Sequence, residues 1–239
     1  MAPATEKRKA PEDSSPDANA SKRVQLSSSQ NKKGKRPDFM GPQTMVKVNV
    51  SFKADDEKQE FLVHKEFICY YSPFFDTAFN GGFEEGVTQS IDILSVYPQV
   101  FGLFVHWLYT QNVVQDQHNE PPTRDLVDLW LLGDRFLIPR LQNDTLIALD
   151  QNRVGTGRRI GFSYRVYDNT VRGSPLRRYL AQTTATGFPK NEAISYRQDH
   201  YPPELVFDMF NFLRTRPGPW GAKCIKYSKD ELKQFFVEE

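Results

Sequence analysis

The chain has 239 residues, of which 38% are hydrophobic and 26% charged, and its formal net charge is +1. A balance so near neutral excludes a global attraction to nucleic acid or to an anionic membrane surface. The low hydrophobic share is local, because residues 1–38 hold no aromatic side chain, and about two hundred residues remain to build a sizeable core.

Two cysteines, Cys69 and Cys224, make no disulfide framework, which points to a reducing compartment. The N-terminus lacks an apolar signal region, and no apolar run reaches the roughly 18–20 residues needed to span a membrane. A soluble, intracellular protein is expected.

Residues 1–43 carry nine Lys/Arg against five Asp/Glu. Rich in Ser, Pro, Lys and Asn, this stretch has too little to bury to offset its ordering entropy, so a disordered basic tail is predicted. Its cations are clustered: Lys7, Arg8 and Lys9, then Lys22 and Arg23, then Lys32, Lys33, Lys35 and Arg36. That spacing resembles a bipartite nuclear-import signal, and nuclear or nucleocytoplasmic localisation is expected. A merely solubilising tail is the simpler alternative.

From Val46 to Phe52 apolar and polar residues alternate, which predicts a half-buried strand; Phe61 and Val63 supply an antiparallel partner. Glu66–Tyr71 reads as a short helix. Ser72-Pro73 restarts one, with Ser72 as N-cap and Pro73 at the first helical position. Phe75 and Phe79 then share a face before Gly81-Gly82 stops the helix. Ser90–Leu94 predicts a third strand with Ile91 and Ile93 turned the same way.

Pro98 opens a helix that is apolar on nearly every side, from Val100 to Tyr109. A polar loop follows, with a short strand expected at Val113-Val114. Thr123 is predicted to cap the next helix, whose apolar positions are Leu126, Leu129, Trp130, Leu132 and Phe136. Pro139 begins another, with Leu141, Thr145 and Leu149 on one stripe and Leu146 beside it. Beyond Gln151, Arg153–Arg178 holds seven arginines and one acid, with Phe162, Tyr164 and Tyr167 among them. Helices are predicted from Pro175 to about Ala185 and from Pro203, the latter with Leu205, Val206, Met209, Phe210 and Leu213 as its apolar face. Ser228–Val237 is read as a last short amphipathic helix.

The four histidines lie far apart and none is paired with Cys or His at metal-ligand spacing. Gly155-Thr156-Gly157 lacks the Lys-Ser/Thr of a phosphate loop and reads as a flexible connection. No local nucleophile or metalloprotease motif occurs. No enzyme activity, metal or cofactor is expected, and protein partners are expected instead.

Four stretches are specific: Phe61-Leu62-Val63-His64-Lys65, Ser72-Pro73-Phe74-Phe75, Phe79-Asn80-Gly81-Gly82-Phe83 and Phe104-Val105-His106-Trp107-Leu108-Tyr109-Thr110. Together they resemble the BTB/POZ domain, most nearly that of short fungal members with a C-terminal helical extension. The resemblance implies an α/β (α+β) fold in which a small β-sheet caps a cluster of α-helices, followed by a mostly helical extension. It divides the chain into a tail at 1–43, a BTB/POZ domain at 44–152 and an extension at 153–239. A protein-interaction module that self-associates is implied, with Phe67, Ile68 and Tyr71 of the first helix as homodimer-interface candidates.

Two departures qualify the implied partners. Lys47 stands where corepressor-binding members carry an acid. His106 replaces the Glu of the apolar-x-Glu motif found in adaptors of the third cullin, while Phe104 keeps the apolar position. Phe104, His106 and Tyr109 are the cullin-contact candidates, and no kelch period of about 50 residues is visible. The leading expectation is a recruiting, self-associating module of nuclear regulation. A cullin ubiquitin-ligase substrate adaptor is the second, and nucleic-acid binding through the basic segments, with arginine and aromatic contacts, is the third.

Overall fold

The outward residues of the first strand carry polar or long side chains and the inward ones are valines, so one face of the sheet packs and the other meets solvent. In the computed structural model, which describes residues 36–114, 120–156, 161–187, 201–215 and 225–239, this strand is β1 (Met45–Ser51). Val46, Val48 and Val50 are fully buried. It pairs antiparallel with β2 (Gln59–His64), Val46 opposite Val63 and Val48 opposite Phe61. It pairs parallel with β3 (Ser90–Leu94), giving the order β2-β1-β3. Across the outer face Lys47 meets Glu60 at 2.7 Å, and Asp92 accepts from Asn49 and Lys58.

A parallel pair requires a crossover, here α1 (Lys65–Tyr71), α2 (Pro73–Asn80) and α3 (Glu84–Thr88). Ser72 caps α2 as predicted, its Oγ accepting from the Phe75 N–H at 3.3 Å. The same hydroxyl donates to the Phe136 carbonyl at 2.7 Å, a tie across 64 residues. Phe75 and Phe79 are buried and stack with Phe104 and Phe136 nearby.

The long apolar helix is α4 (Pro98–Thr110), enclosed by the sheet, α1 and α5 (Thr123–Arg135). α6 (Pro139–Thr156) lies against α5. The extension supplies α7 (Ser163–Asp168), α8 (Pro175–Gly187), α9 (Pro203–Thr215) and α10 (Lys229–Leu232), the last running into a 3-10 turn at Lys233–Phe235. One continuous hydrophobic core runs from Val46 to Phe235.

Four expectations are corrected. Val113 and Val114 form no strand; Val113 is instead a buried plug at the end of α4. Thr123 is the first helical residue, and its hydroxyl donates to Asn152 at 2.9 Å rather than capping. α6 continues past Gln151 through Thr156, so Gly155 and Thr156 end a helix rather than form a loop, because Arg153 is drawn into the interior. On α9 Leu205 and Met209 are buried, but Val206 and Phe210 are 42% and 49% exposed: the apolar stripe is wider than the surface it packs on.

Candidate interaction surface

At the strand-to-helix corner, His64 ends β2 and its imidazole shares a 2.8 Å hydrogen bond with the Tyr109 hydroxyl, which also accepts from the His64 backbone N–H at 3.1 Å. Burial raises the pKa of that phenol. The Lys65 ammonium donates to the Phe79 carbonyl. The pair therefore ties β2 and α1 to α4 and α2 through the His64 Nδ1 and Lys65 Nζ bonds. Phe39 lies over this corner, stacked on Phe67 at 4.7 Å and edge-on to His64 at 5.2 Å, yet it remains 59% exposed.

Among the interface candidates, Phe67 and Ile68 are buried within the chain and Tyr71 is half-buried beside Tyr70 and Trp107. Phe67 is reached only by displacing Phe39. Ile68 belongs to the core, and its role as a contact residue is corrected on that ground. Tyr71 is partly exposed through its ring, while its hydroxyl is buried and meets no hydrogen-bond partner.

Of the cullin-contact candidates, Phe104 is also corrected. It is fully buried among Phe75, Phe101 and Phe136, so it holds the core and cannot touch a partner. His106 and Tyr109 are half-buried on successive turns of α4. Lys47 is exposed and paired with Glu60, an arrangement worth little in stability. Of the import candidates only Arg36 falls within the described residues, where it is exposed; Lys7, Arg8, Lys9, Lys22, Arg23, Lys32, Lys33 and Lys35 lie outside them.

Of the five described arginines of Arg153–Arg178, Arg153, Arg165 and Arg177 are committed inward, while Arg172 and Arg178 are exposed. Arg153 is 4% exposed and donates to Asp150, Tyr179 and the Ile225 carbonyl. Arg165 pairs with buried Asp128, and Arg177 donates to the Tyr167 and Thr170 carbonyls while lying 4.5 Å over the Tyr167 ring. The 150/153 pair is legible from its i, i+3 spacing. The 128/165 pair, and the two-way clamp in which Asn143 bonds both the N–H and the carbonyl of Val237, had no local signal.

Burial, then the Asp76 charge, pushes the Cys69 thiol up to about 12. No group of three or more His, Cys, Asp or Glu placed to hold a metal occurs among the described residues. No described helix is long and apolar enough to cross a membrane.

The described residues thus build a three-stranded sheet beside a cluster of helices. Residues 43–153 match the family model described as the BTB/POZ domain, and the chain carries that protein-interaction module there. Over 83 residues, 35% of this chain, it is 29% identical to Kelch-like protein 40 of Xenopus tropicalis and 28% identical to Kelch-like protein 40 of Xenopus laevis. The similarity spans only 12% of the length of each of those proteins.

Proposed function

We propose that this chain is a non-enzymatic recruitment module that self-associates and binds a further protein in the nucleus. In this reading residues 1–43 carry the import signal, 44–152 form the interaction domain, and 153–239 extend its surface. The observation that carries self-association is apolar exposure around β1 and β2. Met45 and Leu62 are 42% and 59% exposed on the outer sheet face, and Phe39 and Met40, 59% and 91% exposed, precede it. Large side chains gathered in this way favour burial against another molecule. Light scattering after size exclusion, on residues 36–239, tests it. A dimer is expected, and a strict monomer at tens of micromolar removes the self-association.

A second reading, a cullin ubiquitin-ligase adaptor, is favoured by the similarity to kelch-like proteins within the interaction domain. His106 and Tyr109 are then the contact residues. Pull-down with a purified cullin N-terminal region decides it: no capture at micromolar concentration rejects the adaptor role. Nucleic-acid binding fits less well, because Arg153, Arg165 and Arg177 already spend donors inside the protein.

A further inference from the structure

A cleft of about 230 Å³ opens where the start of α4 and the outer side of α5 meet α7. Tyr97 forms one wall, made rigid by stacking on Phe52 at 3.9 Å and by the Arg124 guanidinium 4.5 Å over its ring. Leu131 is its apolar floor, and Asn169 stands exposed at the rim.

The polar groups lining the cleft are unevenly satisfied. The Asp128 side chain is 4% exposed; its Oδ1 accepts from Arg165 Nε, while its Oδ2 is buried with no hydrogen-bond partner. A buried carboxylate oxygen left without a donor is costly, and a donor brought to it recovers that cost. Nearby, Arg135 spends Nη1 on the Leu94 carbonyl at 2.8 Å and offers the rest of its fork. Arg165, a third exposed, forms the wall beside the carboxylate. Asp128 and Asp134 against Arg135 and Arg165 leave the lining near neutral. A cationic ligand would face two guanidinium groups and an anionic one two carboxylates. A neutral group with an N–H beside a C=O satisfies both halves.

We propose that this cleft receives the side-chain carboxamide of an Asn or Gln on a partner protein, its N–H donated to Asp128 Oδ2 and its carbonyl accepting from Arg135. The recess has room for one side chain rather than a length of backbone. The inference rests on the recruitment reading only for the source of the carboxamide. The cleft itself is tested with small probes, so a monomeric chain that still binds the probe removes self-association and leaves the cleft standing.

The full chain is titrated with N-acetyl-glutamine methylamide while the arginine Nε–H resonances are followed by NMR. The glutamate and leucine counterparts serve as controls. Expected are saturable shifts at Arg135 and Arg165, at affinities on the order of millimolar for so small a ligand, and several-fold weaker binding of both controls. Asn169→Trp, which plugs the rim, should abolish the shifts, as should Asp128→Asn, which exchanges the acceptor for a donor. If Asp128→Asn fails to fold, the rim variant alone decides. The absence of saturable shifts, equal shifts with the leucine probe, or shifts that survive Asn169→Trp would overturn the proposal.

Discussion

Ser72 does two things with one hydroxyl: it caps α2 and holds the end of α5 through the Phe136 carbonyl. Ser72→Ala should therefore cost more than a surface cap, about 2–3 kcal/mol, combining about 1 for the cap with the penalty for an orphaned buried carbonyl. Urea unfolding measures it, and a loss below half a kcal/mol contradicts the dual role. Phe75→Ala, which empties the centre of the aromatic cluster, should cost about 3–5 kcal/mol in the same assay. The cap was legible because Ser-Pro before an apolar run has a local cause. Its second partner was not, since nothing near Ser72 in the sequence points to residue 136. For the same reason Phe104 could be matched to a contact motif yet prove to be core: a motif specifies residue type, while burial is decided by what folds over it.

Between α6 and α8, Asp150, Arg153 and Tyr179 form a buried unit, with the Tyr179 hydroxyl donating to Asp150 at 2.8 Å. Burial, followed by the Asp150 charge, raises the Tyr179 pKa well above 10.0, and Tyr167 is raised by burial and Asp208. The folded state thus holds these protons more tightly than the unfolded state does. Their contribution to stability is complete below pH 10 and is lost as pH rises above the unfolded value toward the folded ones. Alkaline unfolding, with tyrosinate absorbance and helical circular dichroism changing together, is expected. Tyrosinate forming at ordinary pH with the helices intact would contradict it. Asp150→Ala should cost up to about 3–5 kcal/mol by stranding Arg153, and replacing both partners by apolar residues should recover part of that loss. At this scale the sequence was readable where partners lie a helical turn apart and misleading on α9. There periodicity defines a face, but only tertiary packing decides that Leu205 and Met209 are covered while Phe210 is not.

The extension and the interaction domain share one core, so they should not unfold separately. Arg165 reaches back to Asp128 on α5, the Asn143 clamp holds Val237, and α8 buries Leu176, Tyr179 and Leu180. Residues 36–239 should therefore melt in a single transition by both calorimetry and circular dichroism, with matching calorimetric and van't Hoff enthalpies. Deleting residues 226–239 removes Leu232, Phe235 and the Val237 clamp together. At about 1.5–3 kcal/mol for each large buried side chain, the loss should be about 3–6 kcal/mol, a large fraction of a typical domain's stability. The loss should spread to the whole molecule: Phe235 packs on Tyr179, and Tyr179 on Asp150 at the far end of α6. Two separate melting transitions, or a deletion variant as stable as the parent, would show instead that the extension is an independent attachment and that the core divides near residue 153.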